Sequence, residues 1–526
     1  MAKNEHDVVV IGAGHNGLVV AAYLARAGLD VCVVERQDIV GGAVATREVT
    51  GPGFKQEIGA IMHIMIQTNP LIRNDELGLI SKYGLKYIEH DPQLAVVYPD
   101  QRALIFYKDM DKTCESIAQF SKKDAEVYPK FCKEMSEIAR VADVSRFSPP
   151  PPFGRLFSIL DQSEEGQEYI RVMLSSCQDI AQEWFESEQM INAVTRFASE
   201  AQIGPGQKGT GVYALATILF HESPAGIPLG GSGQLSEALA ACIRDDGGQI
   251  RLSSPVKAIK VEKGEAKRVV LENGEEIAAK KAIISNLNVK QLFLQMLEPE
   301  VLPPDFPQRV KRIAPSSFST MLQAFALNEA PKFKAGGDVN KSVIVQTNPW
   351  MEDYLRSFEE LTYGIPQVSM LWTGIATVAD PSRAPEGKHT LYLSQYQPYN
   401  LKEGGAAAWD EIRQKVADDV LDEFRRFTTN MGPENILGRW IASPLDLERY
   451  NPALVEGDYH HIGAFPTQWL SNRPLAGWGN YRTPVEKLYM CGASTHPGGG
   501  VSGGGRAAVE VIMEDLGIDF DKVVGK

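Results

Sequence analysis

The chain has 526 residues, of which 44% are hydrophobic and 23% are charged, and this composition excludes a disordered, collagenous or coiled-coil protein. The chain is too long to fold around one small hydrophobic core, and its length predicts two or three domains. The net charge of −14 argues against a nucleic-acid partner and, more weakly, against binding to an anionic membrane surface.

The N-terminal segment MAKNEHD runs directly into a strand and leaves no room for a signal or transit peptide. No apolar run anywhere in the chain reaches the roughly 18 residues that predict a transmembrane helix. The six cysteines are scattered without a CxxC pair, so we expect reduced thiols. These features together predict a cytoplasmic location.

The first predicted unit is a strand, a glycine turn, a helix and a second strand. Residues 7–11 (DVVVI) are a β-branched run typical of a buried parallel strand, and the sequence GAGHNG follows. Residues 18–27 favour a helix, and residues 31–34 favour a second buried strand that ends at Glu35. This order is the fingerprint of a dinucleotide-binding unit.

Each residue of this fingerprint has a physical task. Gly12 makes the tight turn, Gly14 lets the backbone approach a pyrophosphate, and Gly17 lets the helix pack close to the strand. The N-terminus of the helix offers unpaired N–H groups to the phosphates. Glu35 lies where its carboxylate can accept hydrogen bonds from an adenosine ribose. A glycine-tolerant turn without a ligand is the alternative.

A second glycine pair, Gly41 and Gly42, follows shortly after Glu35. A second stretch of bare backbone at this place suits an extended flavin adenine dinucleotide better than a nicotinamide dinucleotide. An ordinary turn remains the alternative at these two positions.

The middle of the chain predicts a second, mixed α/β domain interleaved with the first. Residues 247–288 suggest a β-meander with an Asn-Gly turn, and Ile283 and Ile284 suggest a returning buried strand. Residues 110–200 favour helices, interrupted by SPPPPFG at 148–154. The next segment, FGRLFSIL, could pack on the protein surface as an ordinary helix, touch a membrane or contact a partner chain, and the sequence leaves these three alternatives open. Further strands are predicted at 316–328, 342–347, 367–378 and 389–398, and an amphipathic helix is predicted at 406–430.

A second glycine motif, Gly231-x-Gly233, precedes a helix but lacks the full spacing and a terminal acid on the next strand. We therefore expect no NAD(P)H site there.

The C-terminal unit combines a buried strand with a loop of unusual composition. Residues 488–491 (LYMC) predict the strand, and ASTHPGGGVSGGGR then contains six glycines between Gly498 and Gly505. So much bare backbone predicts a large, flat ligand against the loop. The following helix would point its N-terminus, near residues 501–504, at the N1–C2=O edge of a flavin. A flexible capping loop is the alternative.

Three segments together resemble the phytoene desaturase and carotenoid isomerase-like flavoproteins. They are DVVVIGAGHNGLVVAAYLARAG with Glu35 and the glycine pair, DPSRAPEGKHTLYL at 380–393, and RPLAGWGNYRTPVEKLYMCGASTHPGGGVSGG at 473–504. The resemblance covers essentially the whole chain and is greatest to the branch called pyridine nucleotide-disulphide oxidoreductase domain-containing protein 2. Despite that branch's name, the lack of a cysteine pair argues against disulfide reduction.

The resemblance implies an α/β fold in which a Rossmann-type FAD-binding domain, of the glutathione reductase/amine oxidase-like kind, carries an interleaved mixed α/β substrate domain. We expect residues 1–90, 226–300 and 480–526 in the FAD-binding domain, and residues 91–225 and 301–479 in the substrate domain with its helical part.

The resemblance also implies non-covalent FAD. It places the phosphates at Gly12, Gly14 and Gly17, the ribose at Glu35 with Arg36 alongside, adenine at the backbone of Val256, and the flavin near Gly42, Ala43, Gly492 and Val501. The complete predicted set is Gly12, Gly14, Asn16, Gly17, Glu35, Arg36, Gly41, Gly42, Ala43, Val256, Gly492, Ala493, Gly500 and Val501.

Members of the family act on C–C bonds of apolar substrates, which implies a desaturase that passes hydride to flavin N5. The chain has no obvious membrane-insertion segment, so a smaller alicyclic or ketonic substrate competes with a carotenoid. A redox-neutral double-bond isomerase and a non-catalytic flavin-fold binding protein are the alternatives. The electron acceptor would be oxygen or a quinone, and peripheral membrane contact and oligomer formation stay open.

His63 and His496 are the candidate general bases, because their imidazoles titrate near neutral pH and both lie in segments that pass the flavin. A structural histidine is the alternative for each. Arg473 has two possible roles: it binds a carboxylate or the flavin, or it forms a surface ion pair. The spacing of His460 and His461 suits neither a helical face nor one side of a strand, so no metal site is expected.

Overall fold

The structure is a computed structural model that describes residues 4–223 and 226–525. The first three residues of the MAKNEHD segment, on which the expectation of no leader peptide partly depends, lie outside this range, as do residues 224, 225 and 526.

The β-strands of the described residues, in chain order, are β1 (Glu5–Ile11), β2 (Val31–Val34), β3 (Thr46–Arg47), β4 (Gln56–Glu57), β5 (Tyr87–Glu89), β6 (Leu94–Val97), β7 (Ala103–Phe106), β8 (Gly226–Pro228), β9 (Gln249–Arg251), β10 (Val256–Glu262), β11 (Glu265–Leu271), β12 (Glu276–Ser285), β13 (Ser319–Leu327), β14 (Ile344–Thr347), β15 (Leu371–Gly374), β16 (His389–Gln397), β17 (Ile436–Ala442) and β18 (Leu488–Met490).

The α-helices of the described residues are α1 (His15–Arg26), α2 (Pro70–Arg73), α3 (Met110–Ala118), α4 (Lys122–Arg146), α5 (Phe153–Leu160), α6 (Glu164–Leu174), α7 (Cys177–Trp184), α8 (Glu188–Glu200), α9 (Leu219–Glu222), α10 (Gly233–Asp245), α11 (Val289–Gln295), α12 (Phe306–Lys311), α13 (Met351–Thr362), α14 (Trp409–Phe427), α15 (Pro444–Tyr450), α16 (Gly505–Asp515) and α17 (Phe520–Val523). Short 3₁₀ segments lie at Met65–Thr68, Gly211–Ile218, Pro299–Val301, Gly337–Lys341, Ala376–Val378, Pro381–Arg383, Gly405–Ala408, Val455–Gly457, Pro466–Gln468 and Leu470–Asn472.

The first sheet has the topology of a dinucleotide-binding domain. Its main strand order is β10-β11-β12-β1-β2-β9, and β18 pairs with β12. β1 lies between β2 and β12 and is parallel to both, and Val8, Val9 and Val10 are fully buried. Strands buried on both faces are typical of parallel sheets covered by helices. The predicted Rossmann-type α/β fold is confirmed.

The meander predicted between residues 247 and 288 forms β10, β11 and β12, with antiparallel pairing. Gly274 turns the chain between β11 and β12 with a φ of +86°. The returning strand at Ile283 and Ile284 is the second half of β12, not a separate strand. This half pairs with β1 on one side and β18 on the other, which extends the strand to ten residues.

The second sheet has the strand order β17-β13-β16-β15-β14-β6-β7 and is antiparallel except for the β14–β6 pair. The strands predicted at 316–328, 342–347 and 389–398 correspond to β13, β14 and β16. The strand predicted at 367–378 is only the four residues of β15, because Met370 has a φ of +63° and residues 376–378 turn into a 3₁₀ segment. The helix predicted at 406–430 is α14.

The helical region predicted between residues 110 and 200 forms α3 to α8. Most of these helices contribute buried residues to one hydrophobic cluster, which also includes residues of the second sheet. The FGRLFSIL segment forms α5, which buries Leu160 and leaves Ile159 about half exposed. Within the described residues, no helix has both the length and the apolar composition that a membrane crossing requires.

The strands of the first sheet all come from the ranges predicted for the FAD-binding domain, and those of the second sheet come from the substrate-domain ranges. We propose the same division, 1–90, 226–300 and 480–526 against 91–225 and 301–479, for the folded protein.

The DPSR sequence of the 380–393 segment forms a buried ionic clamp. The Arg383 guanidinium is fully buried and contacts Glu57 of β4, and its Nε lies 2.9 Å from Asp380 Oδ2. It also donates to the Pro228 carbonyl oxygen over 2.6 Å, and Asp380 accepts from the Gly230 amide. This network ties the segment after β15 to the loop before α10.

Candidate functional site

A cavity of about 970 Å³ extends from the carboxyl ends of β1, β2 and β12 to the face of the second sheet. Ligands of open α/β sheets bind at this end of the strands. The cavity therefore joins the predicted dinucleotide region to the predicted substrate region.

The first glycine turn forms one wall of the cavity. Gly12 turns the chain with a φ of +93°, and α1 begins after Gly14 without a side-chain cap. Gly12 and Gly14 line the cavity, so the free N–H groups of the helix start are available to an anion. Gly17 does not line it: a Cβ there would lie 2.4 Å from the Gly12 carbonyl oxygen, so this glycine allows close packing of α1.

Asn16 joins the starts of two helices. Its side-chain Oδ1 accepts from the Gly505 amide over 3.2 Å, and Gly505 is the first residue of α16. A Cβ on Gly505 would lie 2.3 Å from the Asn16 carbonyl oxygen. The absence of a side chain at Gly505 thus lets two positive helix ends converge on the cavity.

Glu35 lies at the end of β2, where it lines the cavity and is 8% exposed. Its two carboxylate oxygens accept from the amides of Ala13 over 2.7 Å and Gln37 over 2.8 Å. Burial raises the pKa of Glu35, and these two amides oppose the shift. Arg36 and Val256 line the same region.

Gly41 and Gly42 place a second loop against the first. The Gly41 amide donates to the Ala13 carbonyl oxygen over 2.8 Å, and Gly41 has a φ of +118°. A Cβ on Gly41 would lie 2.2 Å from the Val44 carbonyl oxygen, and one on Gly42 would lie 3.3 Å from the Gly14 Cα. The pair is therefore part of the cavity wall, together with Ala43, and not only a turn.

The C-terminal glycine loop closes the opposite wall. Ala493, Gly500 and Val501 line the cavity, and a Cβ on Gly500 would meet only the Met65 sulfur at 3.9 Å. Gly492 does not line it; its φ is +98°, and a Cβ there would lie 2.3 Å from Asn286 Oδ1.

Arg473 is 2% exposed, which excludes the surface ion pair considered from the sequence. Its guanidinium donates to backbone carbonyl oxygens, among them Ala493 over 3.0 Å from Nε and His460 over 2.9 Å from Nη2. Burial lowers the pKa of Arg473 to about 10. Arg473 lines the cavity and fixes the backbone of both loops that carry these carbonyls.

The two candidate bases, His63 and His496, do not line the cavity. His63 is fully buried, with Nδ1 3.0 Å from the Tyr87 hydroxyl and Nε2 3.1 Å from the Ser232 hydroxyl. Burial lowers the pKa of His63 to about 3. His496 is 4% exposed and lies directly before the cavity residue Pro497. Their assignment as general bases stays a prediction.

Other polar residues, which sequence reasoning missed, do reach the cavity. His15 lines the cavity, and its buried Nε2 makes no hydrogen bond within 3.5 Å among the described residues; burial lowers its pKa to about 4, and the nearby backbone of Gly500 opposes the shift. His461 also lines the cavity, and burial lowers its pKa to about 3. The His15 position within GAGHNG was the one available signal. Within the described residues, no cluster of His, Cys, Asp or Glu could hold a metal ion.

The half of the cavity next to the second sheet is mainly apolar and aromatic. Its wall includes Met62, Phe197, Tyr213, Leu219, Phe220, Leu322, Ile344, Trp372, Tyr392 and Leu454. Glu200 also lines the cavity. Burial raises the pKa of Glu200, and the nearby Arg196 opposes the shift. The lining suits a mainly apolar ligand with a localised polar contact.

The second glycine motif, Gly231-x-Gly233, is packed against protein. A Cβ on Gly231 would lie 2.3 Å from Thr46 Oγ1, which also accepts from the Gly233 amide over 3.0 Å. The Ser232 amide donates to Glu57. This helix start is therefore capped by side chains, unlike that of α1.

Residues 17–512 match the family described as flavin containing amine oxidoreductase. The rat pyridine nucleotide-disulfide oxidoreductase domain-containing protein 2 is 31% identical over 98% of this chain and 94% of its own length. A limonene dehydrogenase component from Castellaniella defragrans is 26% identical over 98% of this chain and 95% of its own length. The resemblance drawn from the sequence motifs is confirmed.

A solved structure described as an oxidoreductase from Methanosarcina mazei has the same fold, with a TM-score of 0.62 and 19% identity, covering 96% of this chain and 99% of that one.

Proposed function

The chain belongs to the flavin containing amine oxidoreductase family and is an FAD-dependent oxidoreductase, and from this premise we propose that it dehydrogenates a C–C bond of an apolar, alicyclic substrate. The observation that carries this proposal is the continuous cavity, which joins the glycine loops at the strand ends to an aromatic and aliphatic wall. The similarity to a limonene dehydrogenase component supports an alicyclic substrate.

The residues of the cavity fit FAD. The start of α1 has no side-chain cap, and the buried Nε2 of His15 has no partner among the described residues. The backbones of Gly14 and Gly42 approach so closely that a Cβ on Gly42 would fill the gap between them. Bare backbone, free N–H groups and an unpartnered nitrogen are what a dinucleotide requires of this place.

We assign the predicted cofactor residues to two tasks. Gly17 and Gly492 set the packing of α1 and of the loop after β18, since side chains there would meet Gly12 and Asn286. The remaining twelve line the cavity, where we expect them to contact FAD: Gly12, Gly14, Asn16, Glu35, Arg36, Gly41, Gly42, Ala43, Val256, Ala493, Gly500 and Val501.

When bound, FAD would supply a hydride acceptor for one substrate carbon, and the hydrogen of the neighbouring carbon would leave as a proton, for which His63 and His496 are the predicted acceptors. The chain's own contribution is orientation and exclusion of water. Phe197, Trp372 and Tyr392 line the cavity, and we expect their aromatic side chains to hold a substrate ring. A reacting carbon must be held about 3–3.5 Å from its acceptor in an aligned pose, and rigid aromatic side chains suit that task.

The test is a screen of alicyclic alcohols, ketones and hydrocarbons for anaerobic bleaching of the flavin. We expect the purified protein to be yellow, to release FAD on acid precipitation, and to bleach with a substrate of this class. Oxygen and a quinone are then compared as the acceptor that restores the yellow colour. Turnover without net use of an acceptor would indicate an isomerase, and a protein that takes up no FAD would contradict the proposal.

A further inference from the structure

We infer that Glu200 and Gln346 together bind a neutral hydroxyl group of the substrate, so that the apolar half of the cavity selects an alicyclic alcohol over the parent hydrocarbon. This inference rests on the proposed function, because it concerns the substrate of the same site. It gives that substrate a polar group, which the aromatic wall alone does not require.

Glu200 has one carboxylate oxygen engaged by protein. Among the described residues, its three side-chain donors all reach Oε1: Tyr396 Oη over 3.0 Å, Gln346 Nε2 over 3.1 Å and Arg196 Nε over 3.5 Å. Oε2 thus has no hydrogen-bond partner among the described residues, and Glu200 is a residue of the cavity wall. A carboxylate accepts through both oxygens, so this group has capacity for a ligand donor.

Gln346 supplies the second, independent acceptor. The residue is 3% exposed and lines the cavity, and its Oε1 is buried without a partner among the described residues. The orientation of the amide is set by its neighbour, because Nε2 donates to the carboxylate of Glu200. A buried acceptor without a donor is rare in a native protein and here belongs to a residue of the cavity wall.

The charges of the cluster favour a neutral ligand group. Arg196 is 1% exposed and already provides the positive partner of Glu200, while its Nη2 donates to the Met370 carbonyl oxygen over 2.7 Å. A substrate ammonium would place two buried cations, itself and Arg196, on the single carboxylate of Glu200. A carboxylate or a carbonyl would face two acceptors. A hydroxyl adds no charge and can share its one hydrogen between the two acceptors, so it is the group that fits.

Hydrogen bonds to its backbone hold Glu200 in position. Glu200 is the last residue of α8, and its backbone carbonyl oxygen accepts from His460 Nε2 over 3.2 Å and from Tyr459 Oη over 3.3 Å. The acceptor pair is therefore held in place before a ligand arrives, which lowers the entropic cost of binding.

The test measures binding to the FAD-loaded protein by calorimetry and by the shift of the flavin absorbance, with an alicyclic alcohol, its parent hydrocarbon and its amine. We expect the alcohol to bind about 10-fold or more tightly than the hydrocarbon. Gln346→Met should reduce that preference to near unity with FAD content unchanged. Gln295→Met, at a cavity glutamine on α11, should keep the preference.

Equal binding of alcohol and hydrocarbon, tighter binding of the amine, or an unchanged preference in Gln346→Met would overturn the inference. Tyr396→Phe is a second variant, which removes one donor from Glu200 without changing Gln346, and it should weaken alcohol binding less than Gln346→Met does. The proposed function can fail separately from the hydroxyl site. A preference for the alcohol without any flavin bleaching would support the hydroxyl site and contradict dehydrogenation. Flavin bleaching without that preference would support dehydrogenation and contradict the hydroxyl site.

Discussion

The His460 imidazole donates from Nε2 to the backbone carbonyl oxygen of Glu200 over 3.2 Å. Glu200 ends α8, and the backbone carbonyl oxygen of His460 is one of those that the Arg473 guanidinium contacts. This bond therefore links the end of α8 to the loop that Arg473 holds, and both segments line the cavity.

Gly499 makes room for this link. A Cβ at position 499 would lie 2.1 Å from His460 Nδ1 and 2.7 Å from its Cα. We expect Gly499→Ala to displace His460, to lower the free energy of unfolding by about 1–3 kcal/mol as overpacking does, and to weaken ligand binding at Glu200. Gly154→Ala is the control, because a Cβ there meets nothing within 4 Å. Equal melting temperatures for the two variants would contradict the argument.

Glu35→Ala should weaken FAD binding by about 1.5–3 kcal/mol, the usual cost of losing hydrogen bonds to a charged group. The loss has two sources, because the carboxylate would contact the ribose and also holds the amides of Ala13 and Gln37. Titration of the apoprotein with FAD by fluorescence quenching measures the change. Glu352→Ala, at an 86% exposed side chain, is the control, and an affinity for FAD equal to that of the control would show that Glu35 has no such role.

Arg383→Met should lower the free energy of unfolding by about 3–5 kcal/mol, since it leaves the buried carboxylates of Glu57 and Asp380 without their cation. Chemical denaturation monitored by tryptophan fluorescence checks the value. Arg356→Met removes a guanidinium that is about half exposed and should change little. Similar losses in both variants would mean that the clamp contributes no more than a surface pair.

Acid should destabilise the protein below about pH 6.5. Burial lowers the pKa of His15 to about 4 and that of His63 to about 3, so the folded state keeps both neutral while the unfolded chain binds protons below its pKa of about 6.5. The stability present above pH 6.5 is therefore lost as the pH falls, at about 1.4 kcal/mol per histidine by pH 5.5.

His63→Gln cannot titrate and should lose less stability than the wild type between pH 7.5 and 5.5. Denaturation midpoints measured across this range give the comparison, and parallel profiles would contradict the assigned shift. The same variant tests His63 as a base, because loss of a general base slows flavin reduction by about 10²–10⁴.

NADH and NADPH should not reduce the flavin at a useful rate. The helix start at Gly231-x-Gly233 is packed against Thr46 and Glu57, which leaves no free amides for a second pyrophosphate. Anaerobic stopped-flow mixing with each nucleotide is the measurement. Rapid bleaching by either one would show that a nicotinamide dinucleotide binds elsewhere in the cavity.

The dinucleotide unit was predictable because its signal is local. A β-branched strand, three glycines, a helix and Glu35 follow one another within 29 residues, and each residue is constrained by its neighbours in sequence. The C-terminal glycine loop was predictable for the same reason, since bare backbone at the start of a helix has few other uses.

The substrate wall was not predictable, because its polar contacts join distant segments. Glu200 and Gln346 are 146 residues apart, and Glu200 and His460 are 260 apart, so no motif connects them. For His63, the sequence predicted the position of the backbone but not the direction of the side chain. Its segment does pass the cavity, but the direction of the imidazole is decided by Tyr87 and Ser232, which the sequence around His63 does not reveal.

The first sheet is built from both ends of the chain, because β1 and β2 begin it and β18 completes it, with α16 following directly. During synthesis, the ribosome releases the first glycine turn long before Ala493, Gly500 and the start of α16 exist. The part of the cavity wall that Ala493, Gly500 and Val501 form is therefore absent from every nascent chain that stops before about residue 505. We therefore expect FAD to bind only after synthesis is complete, and we expect a chain truncated before that point to lack FAD.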